Sequence, residues 1–356
     1  MLSNRTAWFL FAALAALLGL LLLWPLCTVV GGGFYVNGRW TAHYLLGVFR
    51  NPIYAEGLFN SFCLALGATA LAALAAVPLA WLSHAYAFPG QRLFSALLLL
   101  PMVLPPFVGA IGLVQILGPY GALNALLGCG PVDWLGRSRA CGVILLQALS
   151  FYPILYLNVA AALANIDPAL HEAAHNLGGR GWTVFRRITL PLLMPGLFAG
   201  GTLVFIASFT ELGTPLILNY TRCAPVQVYD ELKEISASPF PYALVTVILV
   251  ASTALYALSR LLFGGRAFAM QAKASTGHSP QPLRGWRACL VLVPFLAVTA
   301  VALLPHAGVV LTSLCAPGSW YKTLLPAHFT LGHYAEALGH PRSEEHTSEL
   351  QSLAYL

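Results

Sequence analysis

The sequence predicts an all-α polytopic membrane protein, and three observations carry that prediction. Of 356 residues, 58% are hydrophobic and only 8% charged, a balance that an ordinary water-soluble globule does not show. Apolar runs of at least about 18 residues, long enough to cross a bilayer, occur near 7–30, 60–82, 93–117, 141–164, 192–218, 241–263 and 288–315. Short polar segments separate them, and one of these, 165–191, is dense in chemistry.

The first run is longer than the apolar core of a secretion signal. One positive charge, Arg5, precedes it, and Trp24-Pro25-Leu26 follows in place of a small-residue cleavage site. It is read as a retained span. Prolines interrupt later runs at Pro78, Pro101, Pro105, Pro106 and Pro153. Lipid tolerates such breakers where neighbouring helices satisfy the freed backbone groups, so they point to a packed bundle. Basic residues set the orientation. With a cytoplasmic N-terminus the inner segments hold ten Arg and Lys, including Arg92, Arg180, Arg186, Arg187 and Arg260, against seven outside. Most Asp and Glu fall outside, and the 165–191 loop becomes cytoplasmic.

The connectors follow in order. Residues 31–58 are Gly-rich, then aromatic (Trp40, Tyr44, Phe49, Tyr54), with room for a short amphipathic element on the outer surface. Pro89-Gly90 marks a tight inner turn. An outer segment, 118–140, is rich in Gly and Pro, and a second, 219–240, holds Asp230, Glu231 and Glu234. Seven cysteines form no CxxC pair. Cys129 and Cys141 share the outer face and could bridge in an oxidising compartment, whereas most cysteines are expected to be small buried hydrophobes.

Residues 1–264 are read as a first six-helix unit and 265–287 as a flexible, basic linker. At 288–341 the pattern begins again: Thr330-Leu331-Gly332-His333-Tyr334 echoes Thr41-Ala42-His43-Tyr44, and His340-Pro341 echoes Asn51-Pro52. This is the kind of internal repeat that transporters carry. Residues 342–356 depart from everything before them and resemble the translation of a sequencing adapter, so they are set aside. A second unit would then be cut short.

Inside the 165–191 loop, Asp167-Pro168 suits a helix start, with Asp as cap and Pro at the first helical position. Ala169 to Leu177 makes about two turns. Gly178-Gly179 ends the helix in the left-handed region open to glycine. Trp182 to Ile188 can form a second short helix before Pro191 opens the next span. Glu172-Ala173-Ala174, Gly178, Ile188, Leu190 and Pro191 stand in a spacing that resembles the cytoplasmic coupling loop of bacterial ABC-importer permeases. Small Ala side chains let a partner approach, and Glu172 with Arg186 would meet it.

The resemblance extends over roughly residues 8–341. Asn60-Ser61, Pro78-Leu79-Ala80, Phe88-Pro89-Gly90, Leu100-Pro101 through Pro106, and Phe209 to Pro215 look like fused permeases of the ferric-iron uptake type. It implies a type I ABC importer transmembrane fold, here one complete six-helix half plus the first helix of a second. It also implies two ATPase subunits, an extracytoplasmic substrate-binding protein and a bacterial inner-membrane location. This chain would then be no enzyme and would bind no cofactor, ATP being held by the partner; no nucleic acid is expected. None of the three lysines follows Gly, so the Gly-Lys pair of a phosphate loop is absent from the sequence. The second coupling loop of the family is missing.

A rival reading occupies the same residues, since His171-Glu172-Ala173-Ala174-His175 matches HExxH of zinc proteases. The extended form needs His where Gly181 stands. A passive channel is a further alternative. Glu211, with Thr210 beside it, is the carboxylate placed within a span near its outer end, either a pathway residue or one snorkelling to the interface. The broken helix at Pro105 either lines a cavity or packs as a kink. Ferric iron is the expected cargo by resemblance, with Glu211 suited to a hard cation; thiamine, an aminophosphonate or a polyamine are alternatives.

Overall fold

A computed structural model describes residues 4–36, 38–136, 139–179, 181–233, 238–271 and 280–339. The described residues are mostly helical. A first span combines α1 (Asn4–Leu18) and α2 (Trp24–Phe34) through a π-helical turn; β1 (Tyr35–Val36) and β2 (Arg39–Trp40) then form a small antiparallel ribbon ahead of α3 (His43–Arg50). The next elements are α4 (Pro52–Ala85), β3 (Tyr86–Ala87), α5 (Gln91–Leu97), α6 (Pro106–Leu117), α7 (Ala122–Leu127) and α8 (Ala140–Ala164). After α9 (Pro168–Asn176) and α10 (Trp182–Val184) come α11 (Leu190–Thr210), α12 (Gly213–Ile217), α13 (Ala224–Lys233) and α14 (Phe240–Gln271). β4 (Gln281–Pro282), α15 (Trp286–Ser313) and α16 (Gly332–Gly339) complete the described elements. Among the described residues seven helical stretches are long and apolar enough to span a membrane.

The core lies between α4, α8, α11 and α15. Ala65, Ala68, Ala72 and Ala76 repeat at helical spacing along α4 and are fully buried. Small side chains let helices approach closely where lipid offers no hydrophobic drive. Tyr152 of α8 donates its hydroxyl to the Leu98 carbonyl at 2.9 Å, so one backbone acceptor at the broken third span finds a buried partner.

The second span begins at Pro52, not at residue 60 as the apolar run suggests. Asn51 caps α4, its side chain accepting from the Ile53 amide at 2.9 Å, and Pro52 takes the first helical position. At 34 residues α4 is roughly 50 Å long, well beyond the hydrocarbon thickness of about 30 Å. Its N-terminal end is a stalk bound to the segment around α13: Tyr54 donates to Glu231, Glu56 pairs with Arg222, and Asn60 donates to the Arg222 carbonyl.

The linker differs from expectation. α14 runs to Gln271, past the boundary at 264, and β4 pairs in parallel with β3, joined by the Leu283 amide donating to Ala87 at 2.9 Å. The linker's far end is therefore stitched to the turn that follows α4; 272–279 lie outside the described residues, as do Glu234, Arg180 and 340–356. The cysteines also differ. All seven are free, and five, including Cys129 and Cys141, are exposed, because Cys27, Cys63 and Cys289 sit on span faces turned away from the bundle.

α15 rests on α6 through bare backbone. A side chain at Gly112 would collide with the carbonyl of Pro305, and one at Gly308 with the carbonyl of Gly112. Farther along, α16 opens as α3 does: Thr330 accepts from the Gly332 amide and Thr41 from the His43 amide.

Candidate functional site: an elbow and a helix break

The elbow folds as its residue types dictate. Asp167 accepts from the Ala169 amide at 2.9 Å, capping α9. Gly178 adopts φ +80°, and the Gly179 amide returns to the Ala174 carbonyl at 2.9 Å, closing the helix end. The chain then enters α10, a π-helical turn over Phe185–Thr189, and α11 as one continuous helical stretch. π turns of this kind recur at functional positions.

The candidate residues divide by exposure. Glu172, Ala173, Gly178, Arg186 and Pro191 are exposed, Ile188 and Leu190 are half-buried, and Ala174 is buried. Two apolar residues that the sequence reading passed over stand out beside them: Leu177 is 89% exposed and Trp182 69%. Their signal was an apolar pair flanking the helix stop. Trp182 stacks on Phe185, whose ring meets Trp81 of α4 edge-on at 6.0 Å, tying the elbow to the C-terminal end of α4.

His171 turns inward. Its Nε2 lies 3.0 Å from the Thr189 hydroxyl, and Thr189 is 3% exposed. That nitrogen is the atom a zinc ion would need in the HExxH reading, and no three His, Cys, Asp or Glu gather at a metal-binding distance among the described residues.

At the other end of α11 the helix stops at Thr210. Glu211 is extended (φ −72°, ψ 125°), so it lies at a break between α11 and α12 rather than within a helix. Both its carboxylate oxygens accept the Thr214 amide, at 2.9 and 3.0 Å, and Gln147 of α8 donates to it at 3.3 Å. Gln147 is fully buried and also donates to the Ser208 carbonyl at 3.3 Å. Glu211 is thus engaged by its own chain, and Gln147 is the partner that sequence reasoning missed. Thr210 does not join this group: it is exposed, its hydroxyl turned back to the Ile206 carbonyl at 2.9 Å. Pro105 lines a small cavity with Pro106, Gly109, Ser150, Pro305 and His306, between α6, α8 and α15. Just outside this region Cys223 is buried, and burial pushes its thiol up to about 11.

Residues 76–267, more than half of the chain, match the family described as binding-protein-dependent transport system inner membrane component. The molybdenum transport system permease protein ModB of Escherichia coli (strain K12) is 35% identical over 189 residues, covering 50% of this chain and 81% of that protein. The putative ferric transport system permease protein FbpB 1 of Haemophilus influenzae is 27% identical over 237 residues, 64% of this chain and 35% of the relative. In fold, the chain resembles that of a bacterial alginate ABC transporter solved in complex with an alginate pentasaccharide-bound periplasmic protein. That likeness has a TM-score of 0.57 at 17% identity and covers 72% of this chain and 94% of the other. With its polytopic all-α fold and the coverage of the family match, this chain belongs to the inner-membrane permeases of binding-protein-dependent ABC importers.

Proposed function

We propose that the chain carries a small substrate, delivered by an extracytoplasmic binding protein, across the membrane by alternating access, and that two ATPase subunits drive it through the 167–188 elbow. The observation that carries this reading is the elbow's surface: exposed Glu172 and Arg186 around the exposed apolar side chains of Leu177 and Trp182. Apolar anchors ringed by charge are what a protein partner buries. ATP would stay on the partner, and the N-terminus would lie in the cytoplasm with the elbow. The echo between α3 and α16 supports reading 288–341 as the opening of a second half.

For the cargo we favour a small oxyanion of the molybdate type, on the likeness to the molybdenum permease. Ferric iron is the second reading, favoured by the ferric relative. Its chemical argument is weaker than the sequence suggests, because the Glu211 oxygens already serve Thr214 and Gln147. Glu172→Lys is expected to abolish co-purification with the ATPase subunit. Normal association and uptake in that variant would count against the elbow as the dock. Uptake of molybdate against ferric citrate in proteoliposomes separates the two cargoes.

A further inference from the structure

We infer that His171 is a positioning residue that locks the elbow to α11, so that a displacement at the ATPase dock moves the span instead of bending the loop. This rests on the reading of the elbow as the dock. α9 is held in the chain by an Asp-Pro entry and a glycine exit, with Gly178 and Gly181 both at positive φ. Such ends are natural pivots. A load applied at Glu172 would rotate the short helix about them unless α9 is fixed elsewhere. The bond from His171 to Thr189 does that: it joins residues 18 apart at 3.0 Å. Thr189 is buried in the turn leading directly into α11, so water competes poorly for its hydroxyl. Ala174 and Val184, both buried, close the apolar side of the same fold. Movement of this block would travel along α11, 21 residues or roughly 30 Å, to the break at Glu211.

The test uses the chain assembled with its ATPase subunits in proteoliposomes, with a bimane label on Thr221→Cys, an exposed outer position, in a chain otherwise free of cysteine. ATP hydrolysis and the ATP-driven change in label fluorescence are read together. His171→Ala and Thr189→Val are each expected to keep hydrolysis within about twofold while the fluorescence change falls about tenfold. The double variant should be no worse than either single one. His171→Gln and Thr189→Ser, which keep the hydrogen bond, should restore the change. A fluorescence response that survives His171→Ala overturns the proposal, as does the absence of any response in the parent. Loss of hydrolysis and fluorescence in parallel, unrescued by His171→Gln, reduces His171 to a folding contact and also overturns it. Failure of the docking reading shows separately, as Glu172→Lys assembling and hydrolysing normally.

Discussion

Glu172 lies on α9 and Glu211 just beyond the far end of α11, and the protein treats them in opposite ways. Glu172 lies exposed on α9, beside side chains that present apolar surface outward. Glu211 closes the N-terminal end of α12 with both oxygens and receives a buried amide from α8. The same side chain is offered at one end and consumed at the other. A carboxylate in a membrane protein is therefore not read as a binding group from its presence alone; what matters is whether its lone pairs are already taken.

That contrast can be broken by measurement. Glu211→Leu should destabilise the purified chain by about 1–3 kcal/mol, because the buried Thr214 and Gln147 lose the acceptor that both donate to. Glu172→Leu should change stability by less than about 0.5 kcal/mol, as exposed substitutions do. Equal losses in thermal melts of the two variants would erase the distinction. A smaller effect sharpens the elbow: Leu177→Ser and Trp182→Ser should each weaken ATPase association about tenfold, about 1.4 kcal/mol, with the melting temperature unmoved for Leu177→Ser and slightly lowered for Trp182→Ser, which loses its stack on Phe185. Association unchanged in both would leave the exposed apolar pair without a role in docking. The mildest effect concerns thiol chemistry. Cys223, pushed up to about 11 by burial, stays protonated from pH 7 to 9 and should resist maleimide until the pH approaches 11. A cysteine replacing Leu177, exposed and near the ordinary thiol value of about 8.5, should label readily at pH 8. Comparable labelling rates at pH 8 would show that the region around Cys223 is open.

Much of the fold was legible because apolar length alone sets the spans. The start of α4 was not, since Glu56, Asn60 and Ser61 interrupt the hydropathy although Asn51-Pro52 is a good helix opening. Hydropathy sees the lipid-embedded part of a helix and overlooks a polar stalk. The break at Glu211 escaped for a different reason: no Pro or Gly precedes it, and the cap that stabilises α12 comes from the glutamate itself. In the elbow, Asp167 and Gly178 were readable as local signals, cap and left-handed stop. The His171–Thr189 bond and the Gln147–Glu211 contact join residues far apart in sequence, and only folding brings them together.

The bare crossing of Gly112 and Gly308 bears on the order in which the molecule is made. Helix α15 leaves the ribosome after every helix it leans on, so its groove on α6 is finished and waiting. A polypeptide stopped before α15 would turn that groove toward acyl tails, which cannot follow its contour as a facing backbone does. Arrival of α15 thus closes the α6 groove behind it, and a bulky residue at either glycine would hold the two helices apart.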